Sequence, residues 1–379
     1  MRKLIIILLF SSLMLAGCSD MANLEDQAYV LVLGADISDG GMIELSIQIP
    51  KLGSSGESQS GGNSGKDSSY LIISARGKSY QDALEALKWS ATRELNLSQI
   101  KMIVVSEALS KSPAFSPVVT AIAETYHLYT ASRFVICEGS ASEFISGHET
   151  VLGAQLSDEL DAMFDHYTEL GCIPRANFAD VYYAMRSIYS DPMVIWGFPS
   201  PESKTDDKPA AAMLGSDAEM KSMTKTPSSR HYLGSVVIKD GMFAEKLNAH
   251  HTLFANLVAG NISTFSYDLN GQTYQLAVLE RPRTKVTIYE GRAKISIKLR
   301  LSAIAQNSSL ERNDVAPAIK QDIIDTIAHC QNIGIEPFGF AGKAASNFLT
   351  IDRWRAFDWH KCFSNADKEV SVQVMRADS

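Results

Sequence analysis

Apolar residues fall into short alternating runs and helical stripes that change period along the chain. Tyr29 to Ile37 is mostly apolar and predicts a buried strand. Asp39-Gly40-Gly41 signals a turn. Beyond it, Ile43, Leu45, Ile47 and Ile49 alternate with Glu44, Ser46 and Gln48, which predicts a hairpin partner with one core face. Residues 53–69 are rich in Gly and Ser and read as a loop without a core of its own. Tyr70 to Ala75 predicts a third strand. Ser79-x-x-Asp82 resembles a capping box ahead of a helix carrying Leu84, Leu87, Ala91 and Leu95. Strands at Ile100–Val105 and Ser132–Cys137 then alternate with helices at Pro117–Tyr129 and from Ala141 to Ser146. The helical stripe of the first includes Val118, Ile122 and Tyr126. This alternation predicts an α/β domain over residues 18–150.

Residues 154–190 carry helical stripes, among them Leu156, Leu160, Met163, Phe164 and Tyr167. The stretch 199–230 has no periodicity and reads as an exposed linker. A hairpin around Asp240-Gly241 and a helix over Asn248–Ala259 complete a middle domain at 151–260, mostly helical plus hairpin. The C-terminal domain, 261–379, reads as an antiparallel sheet with packed helices. Asn270-Gly271 joins Thr264–Leu269 to Thr273–Leu279, and further strands are predicted at Lys285–Tyr289, Ala293–Leu301 and Glu369–Met375. A helix with Ile319, Ile323, Ile327 and Cys330 on one stripe ends near Gly334. The whole is expected to be α+β and multidomain.

The first 17 residues differ from all of this. Arg2 and Lys3 precede an apolar run from Leu4 to Leu15, and Leu15-Ala16-Gly17-Cys18 closes it. That order is a secretory signal, with a run too short to span a bilayer comfortably. A Cys directly after Leu-Ala-Gly marks the lipoprotein form, so Cys18 is the expected S-diacylglyceryl and N-acyl site. The rest of the chain is then placed outside the cytoplasmic membrane, held to it by acyl chains. The formal charge is −8, and loss of the two cations Arg2 and Lys3 with the signal makes it −10. An acidic surface argues against a nucleic-acid partner and against electrostatic adhesion to anionic lipid.

Candidate chemistry is sparse. Cys137, Cys172, Cys330 and Cys362 are far apart and form no CxxC, which argues against thiolate metal binding. Cys330 with Cys362 is the one pairing considered, against buried free thiols. His250-His251 is the only adjacent His pair and lacks a third ligand. His360 near Cys362 would permit a Cys/His nucleophile, against plain packing. Asp158, Glu159, Asp161 and Asp165 form a solvated helix face or an interaction surface. Trp354, Phe357 and Trp359 either seal the last helices or anchor a partner. Gly339 to Lys343 lacks the Gly pattern of a phosphate loop, and no G-x-S-x-G occurs. No catalytic residue, metal or cofactor is expected.

Several stretches together resemble the Ger(x)C family, the lipoprotein C subunit of nutrient germinant receptors in spore-forming Firmicutes. They are the lipobox with Leu24-Glu25-Asp26-Gln27-Ala28, the strand ending Leu33-Gly34-Ala35-Asp36, and Leu97 to Glu107. Arg133 to Ile145, Gly234 to Met242, Ile335-Glu336-Pro337-Phe338-Gly339-Phe340, and Trp354 with Trp359 ahead of Val370–Met375 complete the set. The resemblance implies a non-catalytic subunit on the outer leaflet of the inner spore membrane. It also implies assembly with an A subunit and a permease-like B subunit. Cys18 is the one functional residue it carries over. Two features depart from the family: Ser19 follows Cys18, and the loops before Tyr70 and Arg230 are long. The competing expectation is a solute-binding lipoprotein of a transporter, which needs two similar α/β lobes around a cleft.

Overall fold

The computed structural model describes residues 26–51, 70–147, 156–199, 230–269, 272–303 and 314–376. Cys18 and the signal, the Gly/Ser-rich stretch, most of the 199–230 linker and the Asn270-Gly271 turn lie outside the described residues.

The described residues open with a short strand β1 (Gln27–Tyr29) and continue into β2 (Val32–Ile37), β3 (Ile43–Pro50) and β4 (Tyr70–Gly77). Helix α1 (Tyr80–Ser90) follows, capped as its sequence predicts: the Ser79 hydroxyl accepts from the Asp82 N–H at 3.2 Å. Strands β5 (Glu94–Asn96) and β6 (Met102–Ser106) lead to α2 (Glu107–Ser110) and α3 (Phe115–Ala123). Helix α3 stops earlier than predicted, so Tyr126 leaves the buried stripe of Val118 and Ile122. The chain turns there, with His127 at a φ of 56°. Next come β7 (Arg133–Cys137), α4 (Ala141–Ser146), α5 (Leu156–Glu169), α6 (Phe178–Met185), β8 (Met193–Pro199), β9 (Arg230–Lys239) and β10 (Met242–Leu247).

These strands form one eight-stranded sheet in the order β10-β9-β8-β7-β6-β2-β3-β4. Its middle, β2, β6, β7 and β8, is parallel, and both flanks are antiparallel. A separate middle domain over 151–260 therefore does not match the sheet. The helices α4, α5 and α6 lie in the crossover between parallel β7 and β8, and β8 to β10 extend the sheet that β2 began. The predicted wet face of β3 is also covered. Ser46 and Gln48 are buried because α4 packs over β2 and β3, and Ser46 shares a 2.8 Å hydrogen bond with Ser74.

Helix α7 (Ala249–Ala259), capped by Asn248, leads to the second layer: β11 (Thr264–Leu269), β12 (Gln272–Tyr289) and β13 (Arg292–Ala303). Helix α8 (Val315–Ile333) ends on Gly334 in the left-handed region, φ 73°. Short helices α9 (Phe340–Ala345), α10 (Ile351–Arg355) and α11 (Trp359–Ser364) precede β14 (Asp367–Arg376). Sequence reading divides β12 into two strands. The structure joins them through register shifts around Glu280 and Arg283, which take up Pro282 and its missing N–H. The four strands run in the order β11-β12-β13-β14, antiparallel except for the last pair. β14 lies parallel to β13 because α8 carries the chain back across the sheet before it. The molecule is α+β, as its patterning predicts.

Two apolar cores result, and the second takes Met193, Val237 and Leu247 from the first sheet. The layers share packing at α7, which contacts β9, α8 and β12. Buried polar ties hold α7 in place. Ser235 and Thr252 hydroxyls meet at 2.8 Å, and the Asn256 amide donates to the carbonyls of Gly171 and Ile173.

Candidate functional site

The densest polar chemistry lies where the two layers meet. Asp191 ends the segment between α6 and β8, Glu336 follows the glycine that stops α8, and His360 is on α11. Asp191 and Glu336 are both buried. The Glu336 N–H donates to the Asp191 carboxylate at 2.8 Å, and the Asp191 N–H donates to the Glu336 carbonyl at 3.2 Å. His360 Nε2 lies 3.0 Å from the same carboxylate. Lys239 on β9 donates to the Gly334 carbonyl at 2.6 Å, a second tie across the junction.

The Glu336 carboxylate turns the other way. It accepts from the N–H groups of Phe338, Phe340 and Ala341 at 2.9, 3.0 and 2.9 Å, so it caps α9 in the absence of a side chain on Gly339. Burial nonetheless pushes its carboxyl up to about 7, and the nearby Asp191 charge adds to the rise, while the three N–H donors oppose it. The Asp191 hydrogen bond raises the His360 imidazole above its ordinary value, against burial. Aromatic rings enclose the group. Trp354 packs against Tyr189 at 6.2 Å and Trp359 at 6.0 Å between centroids. A cleft of about 300 Å³ is lined by Trp354, Trp359, Asp191 and His360. The Trp359 indole N–H is buried without a partner among the described residues.

The residues singled out in the sequence take definite places around it. Trp354 and Trp359 are buried in the second core, and Phe357 joins them in the cleft wall. His360 pairs with Asp191, not with Cys362, whose thiol donates to the Gly291 carbonyl at 3.4 Å. Cys330 and Cys362 are free thiols, so the considered disulfide is not formed. His251 bonds Thr326 and stacks on His329, while His250 lies 3.5 Å from Asp322. No metal-ligand cluster occurs among the described residues. In the acidic set on α5, Asp161 pairs with Lys101 at 2.7 Å and Asp165 with Arg133 at 2.5 Å, so these two strap the helix to the starts of β6 and β7. The sequence alone does not single out Asp191, and Glu336 stands there only within a longer stretch. The available signal was a lone carboxylate in the apolar run Ile335-Glu336-Pro337-Phe338.

A second concavity, about 870 Å³, opens at the carboxyl ends of β2, β6 and β7, the usual ligand side of a parallel sheet. Its one ready anion position is filled from within: Asp36 accepts from the Ala141 and Ser142 N–H groups at the start of α4, at 2.7 and 3.0 Å.

Comparison with known proteins agrees with this architecture. Residues 20–195 match the family described as spore germination protein N-terminal domain, and residues 233–376 match spore germination B3/GerAC like, C-terminal. Spore germination protein KC of Bacillus subtilis (strain 168) is 23% identical over 228 residues, which are 60% of this chain and 52% of that relative. This chain thus aligns with about half of that protein's length. YfkR of the same organism is 21% identical over 378 residues, 95% of this chain and 91% of the relative. The crystal structure of the GerBC protein superposes with a TM-score of 0.53 at 14% identity, covering 91% of this chain and 97% of that one. With both family regions present in order and the fold shared with GerBC, the chain belongs to the Ger(x)C family of spore germination proteins.

Proposed function

We propose that the chain works as the lipid-anchored C subunit of a nutrient germinant receptor, with no catalysis of its own. The observation that carries this reading is the ordered pair of family regions directly behind the Leu15-Ala16-Gly17-Cys18 lipobox. Among the described residues no helix is long and apolar enough to cross a membrane; the lipobox assigns attachment to acyl chains on Cys18. The anchor confines the folded layers to the outer face of the inner spore membrane, where local concentration favours assembly with the A and B subunits. A transporter's solute-binding protein would need two like lobes. The eight-stranded mixed sheet and the four-stranded sheet are unlike, which favours the receptor reading.

Deletion of the gene, in a strain with this as its sole C subunit, tests the role by spore germination against a panel of nutrients. Normal sporulation with loss of response to some nutrients is expected. An unchanged profile overturns the reading.

A further inference from the structure

The turn from α1 into β5 forms a tip that the junction does not use. Trp89 at the end of α1 is 88% exposed, while Trp196, Trp354 and Trp359 are only 3%, 3% and 5% exposed. Tyr126 is 81% exposed and lines, with Lys88, a depression of about 460 Å³ between α1, β5 and the end of α3. Indole and phenol rings left in water match the membrane–water boundary, where an apolar body and a polar edge are both satisfied.

The start of the described chain marks the side from which an anchor would reach. Gln27 pairs with Glu94 in the parallel β1–β5 ladder, and Asp26 shares a shallow depression with Lys88, Thr92 and Arg93. Cys18 is eight residues ahead of Asp26, a span of at most about 29 Å when extended. The tip keeps a small acidic excess, with Lys88 and Arg93 set against Asp26, Glu85, Glu94 and Glu124. Lys88 bridges Glu85 at 2.6 Å, and Arg93 is flanked by Glu94 and Asp26. Contact with lipid there therefore rests on the aromatic rings and the nearby anchor, not on charge.

We propose that this tip rests in the head-group layer of the membrane, with Trp89 inserted at the interface and Tyr126 beside it. The proposal rests on the reading of Cys18 as the anchor and adds an orientation to it. An acyl anchor alone fixes no orientation. A second contact at the tip directs the opposite end of the molecule, with the second layer, away from the lipid.

The three buried tryptophans make the test selective. The full-length protein, reconstituted into phosphatidylcholine/phosphatidylglycerol vesicles brominated near the top of the acyl chains, is compared with Trp89→Phe. Loss of the emission difference between the two proteins, relative to unbrominated vesicles, is the expected result. Flotation of the same vesicles reports the anchor independently. Protein that floats while Trp89 emission is undiminished overturns the orientation and leaves the anchor standing. Failure to float overturns both. Emission untouched by brominated lipid but shielded from iodide in native membranes assigns the tip to a protein neighbour, and also overturns the proposal.

Discussion

Asp191 and Glu336, 145 positions apart, are joined twice: each backbone N–H donates to an oxygen of the other residue, at 3.2 and 2.8 Å. This reciprocal pair stitches the segment before β8 to the turn after α8, and so one layer to the other.

Replacing Asp191 by Ala leaves the buried Glu336 N–H without its acceptor and His360 without its counter-charge. The expected cost is about 3 kcal/mol, within the range for losing a buried charged partner. Urea denaturation followed by circular dichroism measures it. A midpoint equal to wild type sinks the idea that this pair holds the layers together.

Stability should fall as pH rises through the range set by Glu336. Its carboxyl moves from 4.5 to about 7 on folding, so the folded chain holds an extra proton between those values. Raising the pH removes that proton from the folded state, and stabilisation present below pH 4.5 is lost by about pH 7. His360 acts with the same sign, since its raised value gives stability at low pH that disappears as pH climbs past it. The Glu336 contribution is at most about 3 kcal/mol. Thermal melts across this range should slope downward for wild type and flatten for Glu336→Gln. Parallel slopes in the two proteins would remove Glu336 as the cause.

Cys137 and Cys330 should resist alkylation in the native state. Both thiols are fully buried, and burial pushes Cys330 up to about 12, so little thiolate forms at neutral pH. Mass spectrometry after brief maleimide treatment should find them modified only in urea. Rapid native labelling of Cys330 would contradict the packing of α8.

Gly234→Ala should destabilise by about 2 kcal/mol or more, because a side chain there meets two penalties at once. Its φ is +79°, and an added Cβ would lie 2.5 Å from the Leu247 carbonyl oxygen of the adjoining strand. A thermal midpoint within error of wild type would refute the close approach of β9 to β10.

The features legible in sequence were local. Ser79, Asn248 and Gly334 each announce a helix end through side-chain or backbone chemistry confined to a few residues, and each is found in place. What escaped depends on partners distant in the chain. The β1–β5 pairing joins two three-residue strands whose patterns carry no period. The parallel setting of β14 follows from where α8 returns, not from the alternation of Val370, Val372 and Val374. Membership of β8 to β10 in the first sheet is likewise a matter of crossover, invisible to periodicity. The junction was hardest to read, since Asp191 and Glu336 look like ordinary isolated acids until the fold brings them together.

The short ladder of β1 has a mechanical consequence. From Tyr29 the chain passes within a few residues into β2, which is hydrogen-bonded to β6 on one side and β3 on the other. Tension applied ahead of Gln27 thus first loads three paired residues and then two full rows of bonds in the middle of the large sheet. A peripheral strand could be peeled away one bond at a time; β2 must be sheared from both neighbours together. The fold is built to bear a load applied ahead of β1.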